Sequence, residues 1–177
     1  MTKLNSQQLR VSKPGKNDLV KIKRNPIYLV LDRIIDTYNI GSLFRLADAI
    51  AAEKVYLCGK MEYPPSSRIH KAAVGTEKWV PWVRYKSAPD AIKDLKFLGT
   101  QIIAVEQDKR AISLRPLTKS KFQFPCAIVV GNETGGIGKK VLDAADIIVE
   151  LPMYGVNKSF NVWGSAAVVA YKCLESI

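Results

Sequence analysis

Apolar positions along the chain fall into two kinds of pattern. Short uninterrupted runs, IYLVLD (27–32), KVYLCG (54–59), QIIAVE (101–106), CAIVVG (126–131) and DIIVELP (146–152), have the length and composition of strands buried on both faces. Between them lie segments with the spacing of one helical face. Ile40, Leu43, Phe44, Ala47 and Ala51 stand at i, i+3, i+4, i+7 and i+11 behind Asn39, which suits the N-cap. Val162, Ala166, Val169, Ala170 and Cys173 repeat the pattern in a final helix expected from about Ser159, with Ser159 as its N-cap. Shorter helices are predicted near 88–98 and 139–145, and a strand-like run at 79–85. A polar stretch with Pro64 and Pro65 before that run is expected as a long loop, connecting or functional. Strands alternating with helices predict an α/β fold with a mostly parallel sheet flanked by helices.

Composition narrows the class. The 177 residues suit one domain, and 47% hydrophobic with 24% charged residues is ordinary for a soluble globular protein. Neither a signal-peptide pattern nor a long uncharged apolar run is present, so the expectation is a cytoplasmic protein with no membrane partner. Cys58, Cys126 and Cys173 are widely spaced in apolar contexts and are expected as small core residues, with neither a disulfide framework nor zinc spacing. The formal net charge of +11 makes a polyanion, above all nucleic acid, the leading partner class. Before Asn25 the chain carries Lys3, Arg10, Lys13, Lys16, Lys21, Lys23 and Arg24 against the single acid Asp18, with Pro14 and Gly15 interrupting any period. We read 1–25 as a basic, flexible arm and 26–177 as one α/β domain.

In such sheets ligands sit at the carboxyl ends of strands, which directs attention to three strand-to-helix junctions. At the first, NIGSLFRLADA (39–49), Arg45 follows Gly41 by one helical turn. Its guanidinium could extend over the space Gly41 leaves, toward the strand-end cleft, or simply pair with Asp48 on the surface. The second, VVGNETGGIG (129–138), permits tight turns at Gly131, Gly135, Gly136 and Gly138. It is not GxGxxG, and Ile137 stands where a phosphate loop needs Lys, so dinucleotides and nucleoside triphosphates gain no support. The third, LPMYGVNKSFNVWG (151–164), sets apolar Leu151 and Met153 beside Asn157, Lys158, Ser159 and Asn161.

Together these junctions resemble, in order, spacing and residue type, the motifs of the SpoU-type (TrmH-like) RNA ribose 2′-O-methyltransferases of the SPOUT superfamily. The resemblance runs from about Pro26 to the C-terminus. Asn39, Gly41 and Arg45 match the first motif, Gly131, Glu133 and Gly135 the second, and Pro152, Met153, Gly155, Ser159, Asn161 and Val162 the third. Phe160 departs from the family's usual Leu, and Trp163 and Gly164 stand where small or hydroxyl residues are usual.

The resemblance implies a C-terminal segment threaded into a deep trefoil knot, bound S-adenosylmethionine, a homodimer, an RNA substrate and neither metal nor DNA. It makes Gly131, Asn132, Leu151, Met153, Phe160 and Val162 the cofactor-binding residues, with an apolar slot for adenine. Arg45, Asn39, Glu133, Ser159 and Asn161 become the catalytic set. Arg45 is the residue at the ribose hydroxyl; because guanidinium keeps its proton, its expected task is to hold the adjacent phosphate and stabilise alkoxide character. Transfer RNA is the first expected substrate and ribosomal RNA the second, with a catalytically inactive RNA-binding member and a nucleotide-dependent enzyme of another class as rivals. Lys158 could grip a phosphate beside the site, and so could the loop from Arg110 to Lys121 and the arm. His70, the sole histidine, is expected on an RNA-facing surface, and Trp79, Trp82 and Tyr85 in the core or an interface.

Overall fold

A computed structural model describes Asn5, Gln8, Leu9 and residues 14–177. Seven strands form one sheet: β1 (Asn25–Asp32), β2 (Ala52–Cys58), β3 (Trp82–Tyr85), β4 (Gln101–Val105), β5 (Ile112–Ser113), β6 (Cys126–Gly131) and β7 (Ile147–Glu150). Their order is β3-β2-β1-β6-β4-β7-β5, and every pairing is parallel. The helices are α1 (Lys16–Val20), α2 (Thr37–Ala49), α3 (Ser67–Ala73), α4 (Ala88–Phe97), α5 (Lys139–Ala144) and α6 (Val162–Leu174).

The uninterrupted apolar runs are explained by the two-residue period of a strand. On β1, Leu29 and Leu31 face a core shared with Ile40, Leu43 and Phe44 of α2, Ile69 of α3 and Ala166 and Val169 of α6. Val30, between them, faces a second core with Ala91, Ile92 and Leu95 of α4 and Val141 of α5. Both faces of the sheet are therefore covered. Each large side chain buried in this way contributes about 1.5–3 kcal/mol of transfer free energy. The three cysteines are free and buried, and burial pushes the Cys58 thiol up to about 12. Among the described residues no helix is long and apolar enough to cross a membrane.

Several local expectations are corrected. The polar stretch after β2 is not all loop: it contains α3, capped by Ser66 accepting from the Ile69 N–H at 3.3 Å, and a 3-10 turn at Thr76–Lys78. Only three residues of this short helix, Ile69, Ala72 and Ala73, are buried, too few for a periodic signal. Asp36, not Asn39, caps α2 by accepting from the Tyr38 N–H at 2.8 Å. Asn161, not Ser159, caps α6, which begins at Val162. Both expected caps are acceptable chemistry one turn or less from the true end, but α2 begins at Thr37, so Asn39 lies inside it. The two-residue edge strand β5 was not foreseen, being too short to show alternation.

Of the basic arm, Lys3, Arg10 and Lys13 lie outside the described residues. Lys16–Val20 forms the single turn of α1 with no buried residue, while Arg24 donates to the carbonyls of Ala52 (2.8 Å) and Trp79 (3.2 Å). Trp79 and Trp82 are partly buried against the first core and Tyr85 against the second.

Candidate active site

At the carboxyl ends of β4, β6 and β7 lies a cavity of about 580 Å³. Its floor begins with the turn after β6. A Cβ on Gly131 would stand 2.4 Å from the Gly136 carbonyl carbon and the Ile137 nitrogen, so the chain can double back only if residue 131 has no side chain. Asn132 Oδ1 accepts from the N–H groups of Thr134 (3.0 Å) and Gly135 (2.7 Å), and Gly136 takes φ +61. Glu106, just beyond β4, braces this turn by accepting from the Ile137 N–H at 2.8 Å; a Cβ on Gly136 would lie 2.5 Å from its carboxylate. Asp32 at the end of β1 is buried, holds the Arg33 guanidinium at 2.9 Å and accepts from Gly138 N–H at 3.4 Å.

A side-chain relay crosses the cavity wall and joins the three junctions. Asn161 Nδ2 donates to Asn39 Oδ1 at 3.1 Å, and Asn39 Nδ2 donates to Glu133 Oε1 at 2.9 Å. The Glu133 carboxylate also accepts from the N–H groups of Ile35 (2.9 Å) and Asp36 (3.0 Å), which precede α2. Partial burial alone would raise the Glu133 pKa; the donors at Ile35, Asn39 and Asp36 outweigh it and hold the carboxyl below its ordinary range. Asn39 is buried, so its amide must be paired at both ends, and the relay does this.

The outer wall is the stretch from Leu151 to Asn161, exposed except for half-buried Leu151 and Met153. Leu151, Met153, Asn157, Ser159, Phe160 and Asn161 line the cavity, with Val162 and Ser165 of α6 behind them. Gln107 Nε2 donates to the Lys158 carbonyl and ties this stretch to the end of β4. Gly164 makes room for Phe160: a Cβ there would fall 2.6 Å from the ring. The large Phe160 and the absent side chain at Gly164 are thus one compensated pair, which accounts for two departures from the motif together.

The cavity gathers Asn39, Glu133, Ser159 and Asn161 and all six expected cofactor residues, Gly131, Asn132, Leu151, Met153, Phe160 and Val162. Arg45 is not on its wall. The space beside Gly41 is filled by α3, with Ala72 Cβ 2.5 Å and the Ile69 carbonyl oxygen 2.7 Å from an added Cβ, so Arg45 cannot lie across it and is exposed instead. Nor does Arg45 pair with Asp48, whose Oδ1 accepts from Trp79 Nε1 at 2.6 Å. Arg110 is also engaged, held by Asp108 and Asp143 at 2.9 Å each. Glu106, Gln107, Thr134 and Glu150 are lining residues that motif reading missed. Their positions at or just beyond strand ends were the available signal.

The comparison with known families decides the wider assignment. The model of the SpoU rRNA methylase family matches residues 26–171. The chain belongs to the SpoU methylase family. A tRNA (guanosine(18)-2′-O)-methyltransferase of Borreliella burgdorferi is 29% identical over 156 residues, covering 88% of this chain and 69% of that protein. A 23S rRNA (guanosine-2′-O-)-methyltransferase of Nitrosomonas europaea is 30% identical over 146 residues, covering 82% of this chain and 55% of its own length. Among solved structures, an AdoMet-bound rRNA methyltransferase of Sinorhizobium meliloti superposes with a TM-score of 0.78 at 23% identity, over 94% of this chain and 59% of that one. The chain thus spans from a little over half to about two thirds of the length of these relatives. The SpoU architecture is the α/β sheet described above. Its trefoil knot is implied by family membership.

Proposed function

We propose that the protein transfers a methyl group from S-adenosylmethionine to a ribose 2′-hydroxyl of RNA. The observation that carries this reading is the relay Asn161–Asn39–Glu133, which brings all three family motifs to one cavity. The residues fit the cofactor: about 580 Å³ lies within the range of small-molecule sites, and Val130, Val149, Leu151, Met153, Phe160 and Val162 give an apolar wall interrupted by the backbone of the 131–136 turn. The related proteins named for tRNA and for 23S rRNA methylation support RNA as the substrate class, and we place tRNA before rRNA.

The cofactor would supply a methyl group on a sulfonium, a strong electrophile. This chain then has to hold the ribose oxygen in line with the carbon and sulfur and assist loss of the hydroxyl proton. Gly131, Asn132, Leu151, Met153, Phe160 and Val162 would enclose the adenosine portion, and Glu133 and Asn39 fix the cavity wall. Ser159 and Asn161, on the outer wall, orient the target ribose. Arg45, exposed and without a carboxylate partner among the described residues, meets the RNA from outside and clamps the phosphate next to that ribose, stabilising alkoxide character.

A homodimer is part of the proposal. A groove of about 630 Å³ lined by Leu114, Leu151, Pro152, Tyr154, Val168 and Tyr171 adjoins the cavity through Leu151, and Tyr154, Val156, Val168 and Tyr171 are exposed. A second copy on this face would cover apolar surface and bring a partner close to the cofactor. We place the enzyme with its RNA in the cytoplasm.

The test is methyl transfer from labelled S-adenosylmethionine into tRNA and rRNA pools lacking the modification, read by nucleoside mass spectrometry, with Arg45→Ala as control. A labelled 2′-O-methylnucleoside that disappears in the control supports the reading. Cofactor binding without transfer to either pool would favour a binding-only role.

A further inference from the structure

The ridge made by α2 and α3 carries three cations, Arg45, Arg68 and Lys71, against one acid, Asp48. The acids on and beside it are hydrogen-bonded, two of them by neutral donors. Asp48 accepts from Trp79 Nε1 at 2.6 Å, Glu62 from the Ser66 hydroxyl, and buried Glu77 pairs with His70 Nδ1 at 2.6 Å. The cations on and beside it are free: Arg45, Arg68, Lys71 and Lys78 are exposed, and among the described residues none has a carboxylate partner. Arg68 and Lys71, three residues apart, project from the same side of α3. The His70 ring is half-exposed and held through Nδ1, which leaves Nε2 for another ligand.

The ridge is also rigid and adjoins the site. α3 presses so closely on α2 that Gly41 has no room for a methyl group, and α2 is the helix that carries Asn39 into the cavity wall and Arg45 one turn past Gly41. Cations held on a fixed scaffold bind a polyanion with little ordering cost. Of the acids beside these cations Glu77 is buried and Asp48 half-buried, while Glu62 is exposed; the cations are all exposed.

We propose that Arg68, Lys71 and His70 of α3 form a docking surface for the phosphates of the RNA substrate, continuing from Arg45 away from the target nucleotide. This rests on the RNA-methyltransferase reading above. The surface sets affinity and register and reads no base, because phosphates carry no sequence information.

The test measures binding of an unmodified tRNA transcript to the full chain by fluorescence anisotropy at several salt concentrations. The double variant Arg68→Ala/Lys71→Ala is compared with Lys93→Ala/Lys140→Ala, which removes the same charge from α4 and α5 on the other face of the sheet. Loss of two phosphate contacts should reduce the slope of log K against log salt by about 2 and weaken binding by about tenfold or more near physiological salt. The control pair should change binding by less than about twofold, and Arg68→Lys/Lys71→Arg should restore the parent slope. Unchanged thermal midpoints confirm that the variants fold. Equal losses in the two alanine pairs, or an unchanged slope in the first, overturn the docking surface while leaving the enzyme reading intact. A parent protein that binds and methylates no RNA overturns the functional reading itself.

Discussion

Gly41→Ala isolates the contact that locks α3 to the helix carrying Asn39 and Arg45. In an isolated or exposed helix this substitution should stabilise by up to about 1 kcal/mol, because glycine is the poorer helix former. Here the added methyl would meet Ala72 Cβ at 2.5 Å, the Ala73 nitrogen at 2.7 Å and the Ile69 carbonyl oxygen at 2.7 Å. Two of the three are backbone atoms of a helix, so no rotamer change relieves the overlap and α3 has to move. Overpacking of this kind typically costs about 1–3 kcal/mol, with the upper end appropriate when backbone must shift. The clash outweighs the propensity gain, and we expect a net loss of about 1–2 kcal/mol. Urea denaturation followed by circular dichroism would show it as a lower midpoint with an unchanged slope. A midpoint equal to or above that of the parent would refute the close-packing argument, and with it the physical account of why this motif position is glycine.

Gly164→Ala should separate stability from binding: the neighbour at 2.6 Å is the end of the Phe160 ring, which can swing away. Folding stability should stay level or rise by up to about 1 kcal/mol. Calorimetry should show S-adenosylhomocysteine affinity falling several-fold. For Glu133 the folded pKa lies below its ordinary value of 4.5, so its contribution is present above that value and lost as pH falls through the lower folded pKa. Acid titration of stability should therefore be shallower in Glu133→Gln than in the parent below 4.5, and superimposable curves would contradict the relay. Arg45→Lys should lose most methyl transfer while keeping cofactor affinity, because a point charge cannot span phosphate and ribose oxygen as a planar fork does; near-normal turnover would reject that role. On the proposed homodimer, Tyr171→Asp on the exposed face of α6 should lower the mass from dimer to monomer in light scattering, and an unchanged dimer mass would remove that face as the interface.

The chain announced its sheet because parallel strands buried on both faces are near-continuously apolar, and 27–31, 102–105 and 126–130 are apolar whatever surrounds them. The expected site residues came from the likeness of its three strand-to-helix junctions to the family's motifs, and the structure adds why one position is glycine: the doubled-back turn admits no side chain at 131. Short elements such as α3 and β5 remained hidden, since seven and two residues carry too little periodicity. Cap assignments failed for a related reason: Asp36, Asn39, Ser159 and Asn161 are all competent caps, and local chemistry does not choose among them. In the fold the helices begin at Thr37 and Val162, so Asp36 and Asn161 take the caps, while Asn39 inside α2 bonds Glu133 and Asn161. Likewise Gly41 and Gly164 look alike as helix glycines, yet one admits a helix backbone and the other an aromatic ring. Local sequence determined which residues could line a cavity and which strands had to be buried. Tertiary structure alone decided which polar groups meet, because a hydrogen bond between residues 122 apart depends on how the strands are ordered, and short-range pattern carries no information about that order.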